Sequence, residues 1–130
     1  MRWCWLRDRK AKRSPGFELI QLNCHNCRQT NFELNNLLSE GKNNIALLQE
    51  PYVNNKGELA NDFQGFDRYP RKINEQPRTS IIAARGLQTV ELTEFCNKFT
   101  TTIACKQGEK WFVLSSVATA VSAQLPDQPD

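Results

Sequence analysis

Apolar and polar residues alternate and then crowd together in Phe17-Glu18-Leu19-Ile20-Gln21-Leu22, a pattern that predicts a buried strand ending at Asn23. Polar residues follow, and Thr30 or Asn31 is placed to cap a helix from about Asn31 to Glu40 with Phe32, Leu34, Leu37 and Leu38 as its apolar positions. Gly41 is the natural stop for that helix. The next run, Asn44-Ile45-Ala46-Leu47-Leu48, breaks off in Gln49-Glu50-Pro51 and predicts a second strand. Strand, helix and strand at this spacing make a right-handed βαβ unit with parallel strands. Pro51 lacks the N–H needed to continue the ladder.

The stretch 52–65 is rich in Asn, Gly and Lys and predicts a long surface loop. Beyond it the pattern is β-like, with strands expected near 66–70, 80–84, 89–92, 99–106 and 110–117. Gln107-Gly108-Glu109 is a hairpin signal between the last two. Periodicity stops after Val117, and 118–130, with Pro126 and Pro129, is expected to be a disordered or unrelated tail. The fold class expected is therefore α/β, one early helix followed by a meander of strands.

A length of 130 residues suits one domain, and 39% hydrophobic with 24% charged residues excludes collagen-like, coiled-coil and wholly disordered chains. No apolar run reaches 18 residues, and 1–16 lacks the apolar core of a secretory signal, so an intracellular protein without a membrane partner is expected. The net charge of +3 is uneven: 1–13 carries +5 and the other 117 residues −2. A basic, disordered leader over 1–16 on a near-neutral body would attract a polyanion such as DNA, and Trp3 and Trp5 would offer stacking surfaces.

Five cysteines without a secretory context predict reduced thiols. Cys24-His25-Asn26-Cys27 is a C-x-x-C motif, yet the chain lacks the second ligand pair that a structural zinc site requires. Asn23 and Glu50 are the more informative pair. If the two early strands are adjacent and parallel, both residues emerge at the carboxyl edge of one sheet, where open α/β sheets place their ligands. A carboxylate beside an amide there suits a hard cation held through oxygen, with positions left for water and phosphate. The plainer alternative makes Asn23 a turn former and Glu50 a solvated loop residue.

In these residues the chain resembles the endonuclease/exonuclease/phosphatase superfamily, and more narrowly the apurinic-type endonuclease domain of non-LTR retrotransposons. The resemblance rests on the first strand ending in Asn23, the segment Gln49-Glu50-Pro51-Tyr52, and, in the expected order, Arg78-Thr79-Ser80-Ile81-Ile82-Ala83-Ala84 and Trp111-Phe112-Val113-Leu114-Ser115-Ser116-Val117. It covers 17–117. It implies the N-terminal half of a two-sheet α/β sandwich and a phosphodiesterase that nicks DNA with Mg²⁺ or Mn²⁺ in the nucleus. Carried over, Glu50 binds the divalent metal and Asn23 helps to order the metal and phosphate.

Family members continue with a tyrosine-proline segment, a glycine-aspartate-phenylalanine-asparagine motif and a serine-aspartate-histidine motif that activate water and contact the phosphate. None of these occurs here, and His25, the single histidine, lies just after the first strand. Two expectations follow: a truncated endonuclease domain inactive by itself, or a degenerate remnant without catalysis, either binding nucleic acid or a fossil with no selected role. Half a sandwich is also expected to leave Ile81, Ile103, Phe112 and Leu114 partly exposed. The oligomeric state is not set by these residues.

Overall fold

Alternation along one strand decides which layer each residue joins, because successive side chains point to opposite faces of a sheet. The computed structural model describes residues 10–14, 17–40, 44–53, 63, 65–71 and 77–118. Strand β1 is Lys10–Ser14 and β2 is Phe17–Asn23; helix α1 spans Arg28–Glu40, and β3 is Asn44–Gln49. Then come β4 (Phe66–Tyr69), β5 (Thr79–Ala84), β6 (Gln88–Glu91), a short 3₁₀ turn at Thr93–Phe95, β7 (Thr100–Gln107) and β8 (Lys110–Val117). The first sheet has five strands in the order β1-β2-β3-β5-β4, and the second has three in the order β6-β7-β8. As the sequence predicts, β2 and β3 are parallel and joined through α1.

One face of the five-stranded sheet meets the helix. Ile20 and Leu22 of β2, Ala46 and Leu48 of β3 and Ile82 of β5 pack there with Leu34 and Leu38 of α1 and with Phe63. The other face meets the three-stranded sheet, where Ile45, Leu47, Ile81 and Ala83 pack with Ile103 and Cys105 of β7 and with the ring of Tyr69. The sheet is therefore covered on both sides, the arrangement expected of an α/β layer structure. This corrects the expectation of partial exposure for Ile81 and Ile103, while Phe112 and Leu114 are partly exposed as expected. Ile81 and Ile103 are fully buried, Leu114 is half-buried, and only Phe112 of the four reaches 39% exposure. The physical reason is that Ile81 and Ile103 belong to one buried cluster between the two sheets, so the second sheet supplies the missing cover.

The sheets are also joined by polar contacts. The hydroxyl of Ser116 on β8 donates to the carbonyl of Leu48 at 2.7 Å and accepts from Gln49 Nε2 at 3.1 Å. Thr101 Oγ1 donates to the Thr79 carbonyl at 3.3 Å, so the 2.8 Å bond between the two hydroxyls has Thr79 as its donor. Buried polar groups are tolerated because they are hydrogen-bonded.

Two boundaries differ from the sequence reading. Lys10–Ser14, expected within a disordered leader, pairs antiparallel with β2, Lys10 opposite Gln21 and Ser14 opposite Phe17. It covers what would be an open edge of β2, and covering an edge satisfies backbone groups that would otherwise lack partners. Residues 1–9, most of the loop expected over 52–65, and 119–130 lie outside the described residues. Helix α1 begins at Arg28 rather than near Asn31, and Thr30, instead of capping it, sits in its first turn with its hydroxyl donating to the Cys24 carbonyl at 3.4 Å. At the other end, buried Asn44 donates from Nδ2 to the Leu38 carbonyl at 3.1 Å, which satisfies one of the acceptors left over by the last turn. The hairpin turns as expected, with Gly108 at φ +64°, a conformation that glycine adopts without a Cβ clash.

Two predictions follow from the packing. Ile103→Ala should cost about 2–5 kcal/mol, the range for deleting a buried Ile side chain, whereas Val113→Thr on the 64%-exposed outer face should stay within about 0.5 kcal/mol, both read from urea midpoints. Burial pushes the Cys105 and Cys96 thiols upward, so folded Cys105 should resist iodoacetamide at pH 8 and react once urea unfolds the chain. A raised thiol pKa means that the native state holds its proton longer than the unfolded state. Stability should therefore fall as pH rises through and above the ordinary thiol value of about 8.5.

Candidate functional site

The parallel pairing of β2 with β3 sets Asn23 opposite Gln49, so Glu50 is the next residue out from the same sheet edge. β5 runs antiparallel to β3 with Thr79 opposite Gln49, which brings Arg78 to that edge from the opposite direction. Backbone hydrogen bonds continue the sheet past the strand ends. Cys24 N–H donates to the Gln49 carbonyl at 2.7 Å, Asn26 N–H to the Glu50 carbonyl at 2.8 Å, and Glu50 N–H to the Arg78 carbonyl at 2.8 Å. The sequence-predicted pair thus shares one carboxyl edge, and a third residue joins it.

Backbone strain gathers at the same place. Among the described residues, the non-glycines with left-handed φ are His25 (+50°), Asn26 (+55°) and Glu50 (+50°). Glu50 is the more unusual, since it also precedes Pro51, and a residue before proline favours extended conformations. Conformations of this kind cost on the order of 1–3 kcal/mol each and tend to collect at functional sites. Here the strained residues are tied to one another, through the Asn26–Glu50 hydrogen bond.

Side chains at the edge divide into two groups. Gln49 turns inward to Ser116, and Asn23 Oδ1 accepts the His25 N–H at 3.0 Å in a local turn. That bond uses one lone pair of the amide oxygen and leaves a second. Glu50, in contrast, is held by charge. Its Oε1 accepts from Arg78 Nε at 3.3 Å and its Oε2 from Arg78 Nη2, with both side chains largely buried (19% and 24% exposed). The Arg78 guanidinium also lies over the Phe99 ring, 5.4 Å from its centre, and Lys98 Nζ approaches the same ring at 5.9 Å. Sequence reasoning missed Arg78 as a site residue. The signal available was its place immediately before a strand that must run antiparallel to its neighbour, which sends its first residue to the carboxyl edge of β3.

Oxygen donors available to a cation are then the Glu50 carboxylate and the Asn23 amide. Mg²⁺ is commonly held by one or two carboxylates and keeps several waters, so this donor set suits it in chemistry, provided that the carboxylate is released from Arg78. Among the described residues no group of three His, Cys, Asp or Glu side chains gathers to hold a metal. Cys24 is buried and Cys27 half-buried just before α1, neither of them in a disulfide. Among the described residues no helix is long and apolar enough to cross a membrane.

No protein-family model matches the chain, and no curated protein matches it either. Among solved structures it is similar to the endonuclease domain of TRAS1, a telomere-specific non-LTR retrotransposon, with a TM-score of 0.62 and 16% sequence identity. The match covers 82% of this chain and 48% of that one, so the chain spans about half the length of its structural neighbour. At this identity the likeness is one of fold: the chain has an α/β architecture similar to part of that endonuclease domain.

Proposed function

We propose that the chain is the front portion of a metal-dependent, DNA-nicking phosphodiesterase domain of retrotransposon origin. Glu50 is its carboxylate ligand for Mg²⁺ or Mn²⁺, and Asn23 is the amide that orders the metal and the phosphate. The observation that carries this reading is the meeting of Asn23 and Glu50 at one carboxyl edge of a parallel strand pair, with Glu50 in a strained left-handed conformation. The fold likeness to an endonuclease domain supports it independently.

A divalent cation bound there supplies charge neutralisation on the phosphate and its leaving oxygen. The chain's own residues contribute the remainder of what this portion can do. Glu50 is placed by backbone hydrogen bonds rather than by a flexible loop, so its carboxylate is pre-positioned. Arg78 and Lys98 place two cations beside the same edge, suited to a phosphodiester backbone. General acid–base work near neutral pH most often uses histidine, and the single histidine, His25, lies in the turn after β2. These 130 residues are therefore proposed to bind metal and DNA without cutting it. A remnant that only binds nucleic acid is the second reading, favoured by the two cations on Phe99 and by Lys10, Lys12 and Arg13 in an edge strand.

With Mg²⁺, supercoiled plasmid should remain intact in the presence of the chain. Nicking that disappears in Glu50→Ala would establish the chemistry and overturn the proposed inactivity. Binding to a short DNA duplex, followed by fluorescence anisotropy, should weaken steeply between 50 and 200 mM salt, roughly ten-fold or more if a few phosphates are contacted. Absence of DNA binding at low salt would remove both readings.

A further inference from the structure

Glu50 and Arg78 form more than a surface ion pair. Both carboxylate oxygens of Glu50 accept from the same guanidinium, in the two-point geometry that arginine offers to carboxylates. Arg78 is fixed from three further directions. Its N–H donates to the Lys98 carbonyl at 2.8 Å, its carbonyl accepts from Glu50 N–H at 2.8 Å, and its guanidinium rests on Phe99. The fork therefore stands where a cation would approach Glu50, and it brings a positive charge of its own. A second cation on the same carboxylate would be repelled by that guanidinium, the more so where both side chains are mostly shielded from water.

Resting on the reading of Glu50 as a metal ligand, we propose that Arg78 is a built-in competitor for the metal site. It neutralises Glu50 in the metal-free chain and must be displaced before a divalent cation can bind. Arg78 is thus a positioning residue that sets how tightly the site takes metal. The same contact explains why a buried-side carboxylate in a strained backbone is tolerated without metal, since removing the partner of a mostly buried charge is costly.

The test is titration with Mn²⁺ alone, with free Mn²⁺ read by its electron paramagnetic resonance signal, for the wild-type chain, Arg78→Met, Arg78→Lys and Glu50→Gln. Arg78→Met should bind Mn²⁺ roughly ten-fold more tightly than wild type, the equivalent of about 1.4 kcal/mol. Arg78→Lys, which keeps the charge without the fork, should fall between them, and Glu50→Gln should not bind. Equal affinity in wild type and Arg78→Met, with loss in Glu50→Gln, would overturn the competitor role and leave the metal-ligand reading standing. Absence of binding in every folded protein would overturn both. Should Arg78→Met fail to fold, the wild-type chain still decides the matter. The Arg78 Nε–H resonance, assigned by its change in Glu50→Gln, should shift on addition of Mg²⁺, and a resonance that stays in place at saturating Mg²⁺ would overturn the proposal.

Discussion

The candidate site is built on the register of β3 with its two neighbours, β2 and β5. With Asn23 opposite Gln49, the two chains leave the sheet together, and the next backbone groups find partners across the gap at Cys24, Asn26 and Glu50. A slip of one residue would reverse the faces of β3 and send Ala46 and Leu48 away from α1 and toward the second sheet. The register is therefore held by the shape of the packing on both faces of β3, not by the site. Ser116 adds a polar check from the opposite layer, because its bonds to the Leu48 carbonyl and the Gln49 side chain are made only when that end of β3 lies over β8.

The pairing of β3 with β5 produces the charge balance at the edge. β5 is antiparallel to β3, so the residue before its first position, Arg78, arrives beside the residue after the last position of β3, Glu50. Their pairing is a consequence of topology together with two amino-acid choices. It also accounts for the burial of Glu50, since an isolated carboxylate largely withdrawn from water would be disfavoured. Phe99 also supports the arginine, its ring face attracting the guanidinium.

How much of this was legible in the sequence varies with the kind of signal. Buried strands such as Asn44–Gln49 and Thr79–Ala84 announce themselves as apolar runs, and the parallel βαβ unit follows from their spacing around the helix. Asn23 and Glu50 are legible for the same reason, as polar residues that end such runs. The start of α1 was not, because Thr30 is a good cap by residue type, and only the tertiary return of Cys24 toward the sheet places it inside the first turn. β1 was hidden by its composition. Lys-Ala-Lys-Arg-Ser has no apolar alternation, and it is a strand because β2 offers it an edge. Arg78 was invisible for a further reason: its role depends on which strand β5 joins, and sheet order is a tertiary property.

Folding and chemistry draw on different parts of the molecule. The apolar residues of the central sheet are covered on one side by α1 and on the other by β7 and β8, so the portion matched to half of the neighbouring endonuclease domain already closes a core. The groups at the carboxyl edge are not closed in the same sense. One carboxylate is neutralised by an arginine, one amide is half used in a turn, and two cations share an aromatic ring. Hydrophobic burial needs only that a face be covered, and any well-shaped layer can do that. Phosphoryl chemistry needs several groups fixed around one point, and the loss of a single one removes the function while leaving the layers intact. A chain of this architecture can therefore close its core whatever groups stand at the carboxyl edge.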